Sequence, residues 1–386
     1  MNQESAARRE PGLRFDRMEW AGAFGDLGTL IPFVIAYLAV VRVDPVGLLY
    51  AFGLAAIAVG LIYRTPFPVQ PMKAIGAAAA TSAVAGAMVT PQAVVAATLL
   101  TGLVWLLLGV TGLAGRLATW IRRPLAIGII LGLGIGFMLE GIRMIATGWW
   151  AGGIALGGTI LLLANRVVPA MFVVLLFGAA VALIQDPSVL GALAAAEPAF
   201  QWPRFALAGM TASDWLVGAL VLAVPQLPLT FGNAVVAVTE ENNRLFPDRP
   251  VSERKVALST GVMNACGAVI GGIPMCHGAG GMAGHVRFGA RTGGAPVILG
   301  VLLVAVAAFF SDSIAVFLRL FPEPVLGAIL FLTGAQLALG SCDFSRDKVE
   351  RFLTLVTAAF AIWNVGVAFA VGLTLQWLSR RGAIRL

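Results

Sequence analysis

The chain has 386 residues, of which 59% are hydrophobic and 12% are charged, and its mean hydropathy is +0.91. Soluble domains carry roughly twice that charged fraction, so the composition excludes an ordinary water-exposed surface. The net charge of +7 does not indicate a nucleic-acid partner, because the basic residues lie in short loops between apolar segments and form no continuous patch. The three cysteines show no CxxC spacing, which argues against a zinc site.

Apolar segments long enough to cross a bilayer recur along nearly the whole chain. The polar, basic N-terminal tail, 1–19, has no signal-peptide cleavage site after it, and we expect it to be cytoplasmic. The first half predicts seven segments, at 20–41, 45–63, 68–89, 91–113, 124–146, 148–164 and 166–184. A polar extracytoplasmic linker is expected at 185–212. The second half predicts seven more, at 213–240, 254–272, 274–290, 293–310, 322–340, 350–363 and 364–379, followed by a cytoplasmic tail at 380–386. The expected fold is therefore an all-α polytopic membrane protein of about 14 transmembrane segments.

The charges of the loops predict an orientation. With a cytoplasmic N-terminus and fourteen crossings, 21 arginine and lysine residues fall on the cytoplasmic side and four fall outside. This is a strong positive-inside bias. We expect a multi-pass protein of the cell inner membrane or plasma membrane, with both termini in the cytoplasm.

Two halves of seven segments, 20–184 and 213–379, predict an inverted repeat, because an odd number of crossings turns the second half upside down. Pro71 and Met72 open segment three, and Pro274 and Met275 open segment ten 203 residues later. Proline is tolerated in the first turn of a helix but breaks an interior turn. We therefore expect segments three and ten to be short half-helices that begin inside the bilayer.

Two helix starts that face each other would form an anion site, because each offers free N–H groups and the positive end of a helix dipole. Glycine lets a backbone approach an oxyanion closely. The start of segment ten has this character: Gly278, Ala279, Gly280 and Gly281. The alternative role for glycine is close helix packing. We prefer that alternative for three glycines of segment five: Gly128, Gly132 and Gly136.

Polar side chains at bilayer depth are candidates for function, because a charge there costs at least ~2.5 kcal/mol. They comprise Asp26 and Thr29 in segment one, Gln70 and Lys73 at segment three, Gln226, Thr230 and Asn233 on one face of segment eight, and His277 in segment ten. The alternative is interhelical hydrogen bonding. In that alternative Lys73 pairs with a carboxylate, Asp26 is a structural partner, and His277 caps or packs.

The sequence shows no nucleophile–histidine–acid set, no cluster of metal ligands and no P-loop. With two histidines in all, an intramembrane metalloprotease lacks its ligands. We expect neither an enzyme nor a bound metal or cofactor. Because no ATPase motif is present, uphill transport would have to use an ion gradient.

Four stretches resemble the motifs of one family. They are FGDLGTLIP at 24–32, PVQPMK at 68–73, PQLPLT at 225–230 followed by Asn233, and PMCHGAGG at 274–281 followed by RFGARTG at 287–293. Together they resemble the molybdate transporter family related to the SulP sulfate permeases, in the same order and over nearly the whole chain. The resemblance implies two inverted seven-segment repeats that form a core domain and a gate domain. It places the substrate between the starts of segments three and ten, lined by segments one and eight. Because the chain stops seven residues after the last predicted segment, we expect no STAS domain.

We therefore expect a secondary active transporter of a tetrahedral oxyanion, molybdate first and sulfate second, that works by alternating access. Backbone N–H groups within 71–73 and 277–281 would hold the anion, and Lys73 would supply positive charge. The expected substrate-binding set is Gln70, Pro71, Met72, Lys73, Gln226, Thr230, Asn233, His277, Gly278, Ala279, Gly280 and Gly281.

The coupling ion and the oligomeric state are left open by the sequence. Proton symport through Asp26, with Thr29 beside it, or through His277 is one hypothesis, and a homodimer is another. Two alternative functions are a proton-coupled nucleobase permease on the same fold and an anion channel. The permease is disfavoured, because segment ten has no glutamate to read a base edge and segment eight reaches one only at its cytoplasmic end.

Overall fold

The computed structural model describes residues 12–73, 75–76, 89–120, 122–163, 165, 168–339 and 345–381. Helices make up most of these residues, and two short strands form the one sheet described among them. The body of predicted segment three, 77–88, lies outside the described residues, and so do Cys342 and the ends of both tails. The half-helix expected at 68–89 is therefore described only at its beginning.

Apart from one short helix between segments four and five, the helices described in the first half overlap the predicted segments. In chain order they are α1 (Arg17–Ala23), α2 (Leu27–Ala36), α3 (Pro45–Tyr63), β1 (Gln70–Pro71), α4 (Pro91–Val110), α5 (Leu113–Ala118), α6 (Arg123–Ala146), α7 (Trp149–Leu162) and α8 (Ala170–Gln185). A 3₁₀ turn at Phe24–Asp26 joins α1 to α2, and a π-helical turn at Tyr37–Val41 ends α2.

The linker and the second half contain the remaining elements. They are α9 (Ser188–Ala194), α10 (Ala212–Leu216), α11 (Val224–Thr230), α12 (Val238–Leu245), α13 (Glu253–Val269), β2 (Met275–Cys276), α14 (Ala279–Arg287), α15 (Gly294–Phe309), α16 (Ile314–Arg319), α17 (Glu323–Leu339), α18 (Lys348–Trp363) and α19 (Val365–Arg380). Helix α9 lies within the predicted polar linker, which is therefore not wholly irregular.

Side-chain caps set the starts of several long helices. Asp44 accepts a hydrogen bond from the N–H of Val46 at 3.0 Å, and Thr90 accepts one from the N–H of Ala93 at 3.0 Å. In both cases proline is the next residue, Pro45 or Pro91, and its fixed φ suits the first helical position. The helix starts at 45 and 91 could therefore be predicted from the sequence.

The lengths and surfaces of the helices suit a bilayer. Among the described residues, three helices, α3, α4 and α6, are long and apolar enough to cross a membrane, and three bent helix pairs also pass the same length and composition test. Large apolar side chains lie on the outer surface, among them Leu161 and Ile184. Apolar side chains of this size at the surface fit contact with lipid.

Glycines allow the closest helix contacts. A Cβ added at Gly128 would lie 2.7 Å from the carbonyl oxygen of Thr354 in α18, and one added at Gly132 would overlap the backbone of Ala358. These two glycines confirm the prediction that segment five uses them for packing. Gly136 is different, because a Cβ there would meet only Ile362, at 3.7 Å.

The region around α11 departs from regular α-helix. Pro228 lies inside α11, and π-helical turns at Val217–Ala223 and Phe231–Ala237 flank this helix. Proline removes a backbone N–H, and π turns recur at functional sites in helices. Asn233 lies in the second π turn.

Candidate functional site

The centre of the candidate site is an antiparallel pair of extended segments. Gln70 pairs with Cys276 and Pro71 with Met275, and the N–H of Met72 donates to the carbonyl of Pro274 at 2.9 Å. All these residues are buried. The sequence predicted that the half-helix of segment ten opens at Pro274. In the structure segment ten stays extended through Cys276, and its helix begins at Ala279.

Asn264 of α13 holds this strand pair in place. Its Nδ2 donates to the carbonyl of Met275 at 2.6 Å, and its Oδ1 accepts from the N–H of Met275 at 2.7 Å. Backbone polar groups buried at membrane depth need such partners. Sequence reasoning missed Asn264, since an asparagine within an apolar helix has no spacing that ties it to a distant strand.

The first segment meets Gln70 through two polar side chains. The Gln70 Nε2 donates to Asp26 Oδ1 and to Thr29 Oγ1, both at 2.7 Å, and Thr29 also donates to Asp26. All three residues are buried. The predicted proximity of segments one and three is therefore present in the structure.

The start of α14 lies against the same group. Gly278 is its N-cap, and a Cβ added there would overlap Gln70 Oε1 and lie 3.5 Å from Asn233 Nδ2. A Cβ added at Gly281 would lie 2.7 Å from Asp26 Oδ2. Only glycine fits at these two positions, and this brings the helix backbone directly onto the buried amides and the carboxylate.

Lys73 contributes a buried cation. Its Nζ lies 3.9 Å from the centroid of the Phe137 ring and has no hydrogen-bond partner among the described residues. Asp26 and Lys73 interact electrostatically, yet the described ion pairs include neither of them. The alternative in which Lys73 forms a direct ion pair with a carboxylate is therefore not what the described residues show.

Segment eight supplies three more predicted residues. Gln226 Nε2 donates to Thr230 Oγ1 at 2.9 Å, and Gln226 Oε1 accepts from the N–H of Ile75 at 3.4 Å. Gln226 thus holds the beginning of segment three. Asn233 approaches Gly278 instead, and its Oδ1 is buried without a hydrogen-bond partner among the described residues.

His277 is turned into the scaffold. Its Nδ1 donates to the carbonyl of Pro68 at 2.8 Å, and its Nε2 lies 2.8 Å from Ser259 Oγ. Ser259 in turn contacts Tyr63 Oη at 2.7 Å. Both ring nitrogens are therefore engaged, and the imidazole offers no free donor to a ligand in this conformation. This geometry fits the packing alternative for the His277 side chain.

Phe137 of α6 completes the group, and no sequence motif indicated it. Besides Lys73, its ring contacts the start of α14, because a Cβ added at Gly280 would overlap Phe137 Cε2. A cavity of about 290 Å³ lies beside it, lined by Lys73 and by residues of α6, α11 and α18, among them Trp363. The structure thus brings a cation, a helix start and a cavity together around one aromatic ring.

Solved structures share this fold. The transmembrane domain of a cyanobacterium bicarbonate transporter, BicA, matches with a TM-score of 0.60 at 16% identity, covering 93% of this chain and 98% of that one. The murine Solute Carrier 26 family member A9 anion transporter, in its inward-facing state, matches with a TM-score of 0.65 at 13% identity, covering 100% and 74%. At these identities the likeness shows the fold.

The buried polar side chains around the paired strands lie within a fold that solved membrane transport proteins share. The family model described as "Molybdate transporter of MFS superfamily" matches residues 18–137 and 218–337. Molybdate transporter 2 of Arabidopsis thaliana is 32% identical over 92% of this chain and 85% of its own length, and Molybdate transporter 1 of Chlamydomonas reinhardtii is 30% identical over 95% and 92%. The chain belongs to this molybdate transporter family, which confirms the resemblance seen in the four motifs.

Proposed function

We propose that the protein is a secondary active transporter of a tetrahedral oxyanion, with molybdate the preferred substrate and sulfate the next, working by alternating access. The observation that carries the proposal is the unpaired Lys73 Nζ beside the start of α14. A buried cation without a partner is unfavourable. We therefore infer that Lys73 binds a ligand that enters and leaves the site during transport. The relatives named as molybdate transporters support molybdate over other oxyanions.

The anion would lie between Lys73, the first turn of α14 and the amides of Gln70 and Asn233. The N–H groups of Ala279 and Gly280 stand at the first helical positions, where no carbonyl of the same helix can accept them. An oxyanion there accepts hydrogen bonds from them and benefits from the helix dipole. Gln226 and Thr230 bond to each other and to segment three, so we assign them a supporting role.

Transport is coupled to protons through Asp26 in this proposal. When Asp26 is ionised, its negative charge cancels the positive charge of Lys73. The site then has no net positive charge to offset a doubly negative oxyanion. Protonation leaves a net positive site that favours the anion. Among the described residues, the Cys276 thiol also interacts electrostatically with this pair.

Gln70 can link the proton to the anion. Its Nε2 now donates to Asp26, while its Oε1 points towards Gly278 without a partner among the described residues. A protonated Asp26 would donate its O–H to Oε1 after the amide turns by about 180°, and Nε2 would then face the anion. We favour Asp26 over His277 as the proton carrier because both His277 nitrogens are engaged elsewhere.

The two halves are proposed to be inverted repeats divided into a core and a gate domain, with boundaries at 20–184 and 213–379. The two matches to the family model begin 200 residues apart. Helix α3 packs on α15, and α4 packs on α13. Helices α3 and α4 are segments two and four, and their equivalents in the second half are α13 and α15, segments nine and eleven. Exchanging equivalent segments therefore converts the α3–α15 contact into the α13–α4 contact. The antiparallel β1–β2 pair maps onto itself. A two-fold axis in the membrane plane would have this effect.

Uptake into proteoliposomes tests the proposal. Purified protein should accumulate molybdate when the outside is more acidic than the lumen, and unlabelled sulfate should compete less strongly than molybdate. Currents that persist as discrete single-channel openings would instead favour an anion channel, and competition by uracil but not by sulfate would favour a nucleobase permease.

The coupling has its own test. Asp26→Asn should abolish accumulation driven by a pH gradient and retain molybdate exchange between two equal pools. His277→Gln is the matched control, and its uptake should still follow the pH gradient. Gradient-driven accumulation by the Asp26→Asn protein would contradict the role given to Asp26.

A further inference from the structure

The Phe137 ring covers both positive elements of the proposed anion site. Its face lies 3.9 Å from Lys73 Nζ, and its edge lies against Gly280 in the first turn of α14. The face of an aromatic ring carries negative quadrupole charge, so it attracts a cation in the absence of a better partner. The ring is thus the present partner of the lysine that the proposed substrate would need.

The ring has space to move away. The cavity of about 290 Å³ lies beside it, lined in part by Leu133, Gly136 and Leu229. The neighbouring residue Gly136 has no side chain, and a Cβ placed there would meet only the backbone of Ile362, at 3.7 Å. The absence of a side chain at Gly136 therefore leaves space beside Phe137. At Gly128 and Gly132, by contrast, α18 fills the corresponding space.

An oxyanion cannot reach Lys73 and the first turn of α14 while the ring lies between them. Hydrogen bonds from an ammonium group or a backbone N–H to an oxyanion need about 2.7–3.0 Å between heavy atoms. Phe137 belongs to α6, which packs against α17 and α18 rather than against the strand pair. Displacement of the ring by an anion would therefore be felt by α6 and by the helices α17 and α18 that pack against it.

We propose that Phe137 occludes the empty site by acting as a replaceable partner for Lys73, and that the arriving oxyanion displaces it. This inference rests on the proposed function and adds a residue that determines affinity. Removing the ring removes a competitor, so oxyanions bind more tightly to the variant than to the unmodified protein.

Binding of sodium molybdate to the detergent-purified full chain, measured by isothermal titration calorimetry, tests the inference. Phe137→Leu should lower the Kd by about twofold to thirtyfold, the factor that corresponds to a cation–π contact. Phe331→Leu is the control, because Phe331 is a partly buried residue of α17 that packs near Gly141 of α6, whereas the ring over Lys73 is that of Phe137. Its Kd should stay within twofold of the unmodified value.

A second series separates ring electronics from packing. Mono-, di- and trifluorinated phenylalanine at position 137 keeps the ring nearly the same size while weakening its negative face, and the Kd should fall stepwise with fluorine number. A flat series, or weaker binding by Phe137→Leu, would overturn the inference alone if the unmodified protein binds molybdate. Failure of the unmodified protein to bind molybdate or sulfate would overturn the proposed function as well.

Discussion

Replacing Lys73 by methionine should move binding and stability in opposite directions. At about 4 Å and an effective dielectric constant of 20, one unit charge interacts with another by about 4 kcal/mol. Desolvation offsets part of this, and loss of one partner from a buried, hydrogen-bonded charge pair costs about 2–5 kcal/mol. Lys73→Met should therefore weaken molybdate binding by about 30-fold to 5,000-fold.

The same change should stabilise the empty protein. A lysine at bilayer depth costs about 2.5–3.5 kcal/mol, and the contact with Phe137 returns about 0.5–2 kcal/mol. Methionine of similar length removes both, which leaves a net gain of roughly 0.5–3 kcal/mol. Weaker binding together with higher stability is the result expected when a binding residue is replaced that costs the protein stability.

Calorimetric titration with molybdate measures the first effect, and thermal unfolding in detergent without ligand measures the second. Lys255→Met is the matched control, because Lys255 also lies over an aromatic ring, 4.6 Å from the centroid of Tyr63, but lines a different cavity. Its affinity for molybdate should be unchanged. A Lys73→Met protein with unaltered affinity and a lower melting temperature would refute the reasoning, because Lys73 would then be structural.

Three further predictions follow from individual contacts. Asn264→Ala should cost about 2–5 kcal/mol of unfolding free energy, since it leaves both backbone groups of Met275 unpaired. An unchanged thermal unfolding curve would contradict the role of Asn264 in holding the strand pair. Gly132→Leu should destabilise by about 1–3 kcal/mol through overpacking against α18, whereas Gly157→Leu, with open space around it, should be neutral in the same assay. His277→Gln should lower the melting temperature by removing the bonds to Pro68 and Ser259, and it should leave the pH dependence of uptake intact; a shifted pH profile would restore His277 as a proton carrier.

Helices were the most predictable part of this molecule. Segments 45–63 and 124–146 were placed within a residue of the observed α3 and α6, because proline at the start and a long apolar run leave little freedom. The extension of segment ten through Cys276 was not predicted. Its strand conformation depends on pairing with Gln70, a contact 206 residues away that local propensity does not encode.

The candidate site was predictable in its polar residues and not in its aromatic one. Asp26, Gln70 and Lys73 were conspicuous because polar groups are costly in lipid. Phe137 was not, because a phenylalanine in an apolar helix resembles every other lipid-facing or packing residue. The roles of His277 and Asn233 also required coordinates, since only the observed partners show that one is engaged at both nitrogens and the other keeps an unpaired oxygen.

Molybdenum scatters X-rays anomalously at its own absorption edge, so crystals grown with molybdate can locate the anion directly. We predict the strongest anomalous peak within hydrogen-bonding distance of Lys73 Nζ and the N–H groups of Ala279 and Gly280, with the Phe137 ring displaced. A strongest peak elsewhere, for example in the groove lined by Arg122 and Arg346, with the ring still on Lys73, would contradict this prediction.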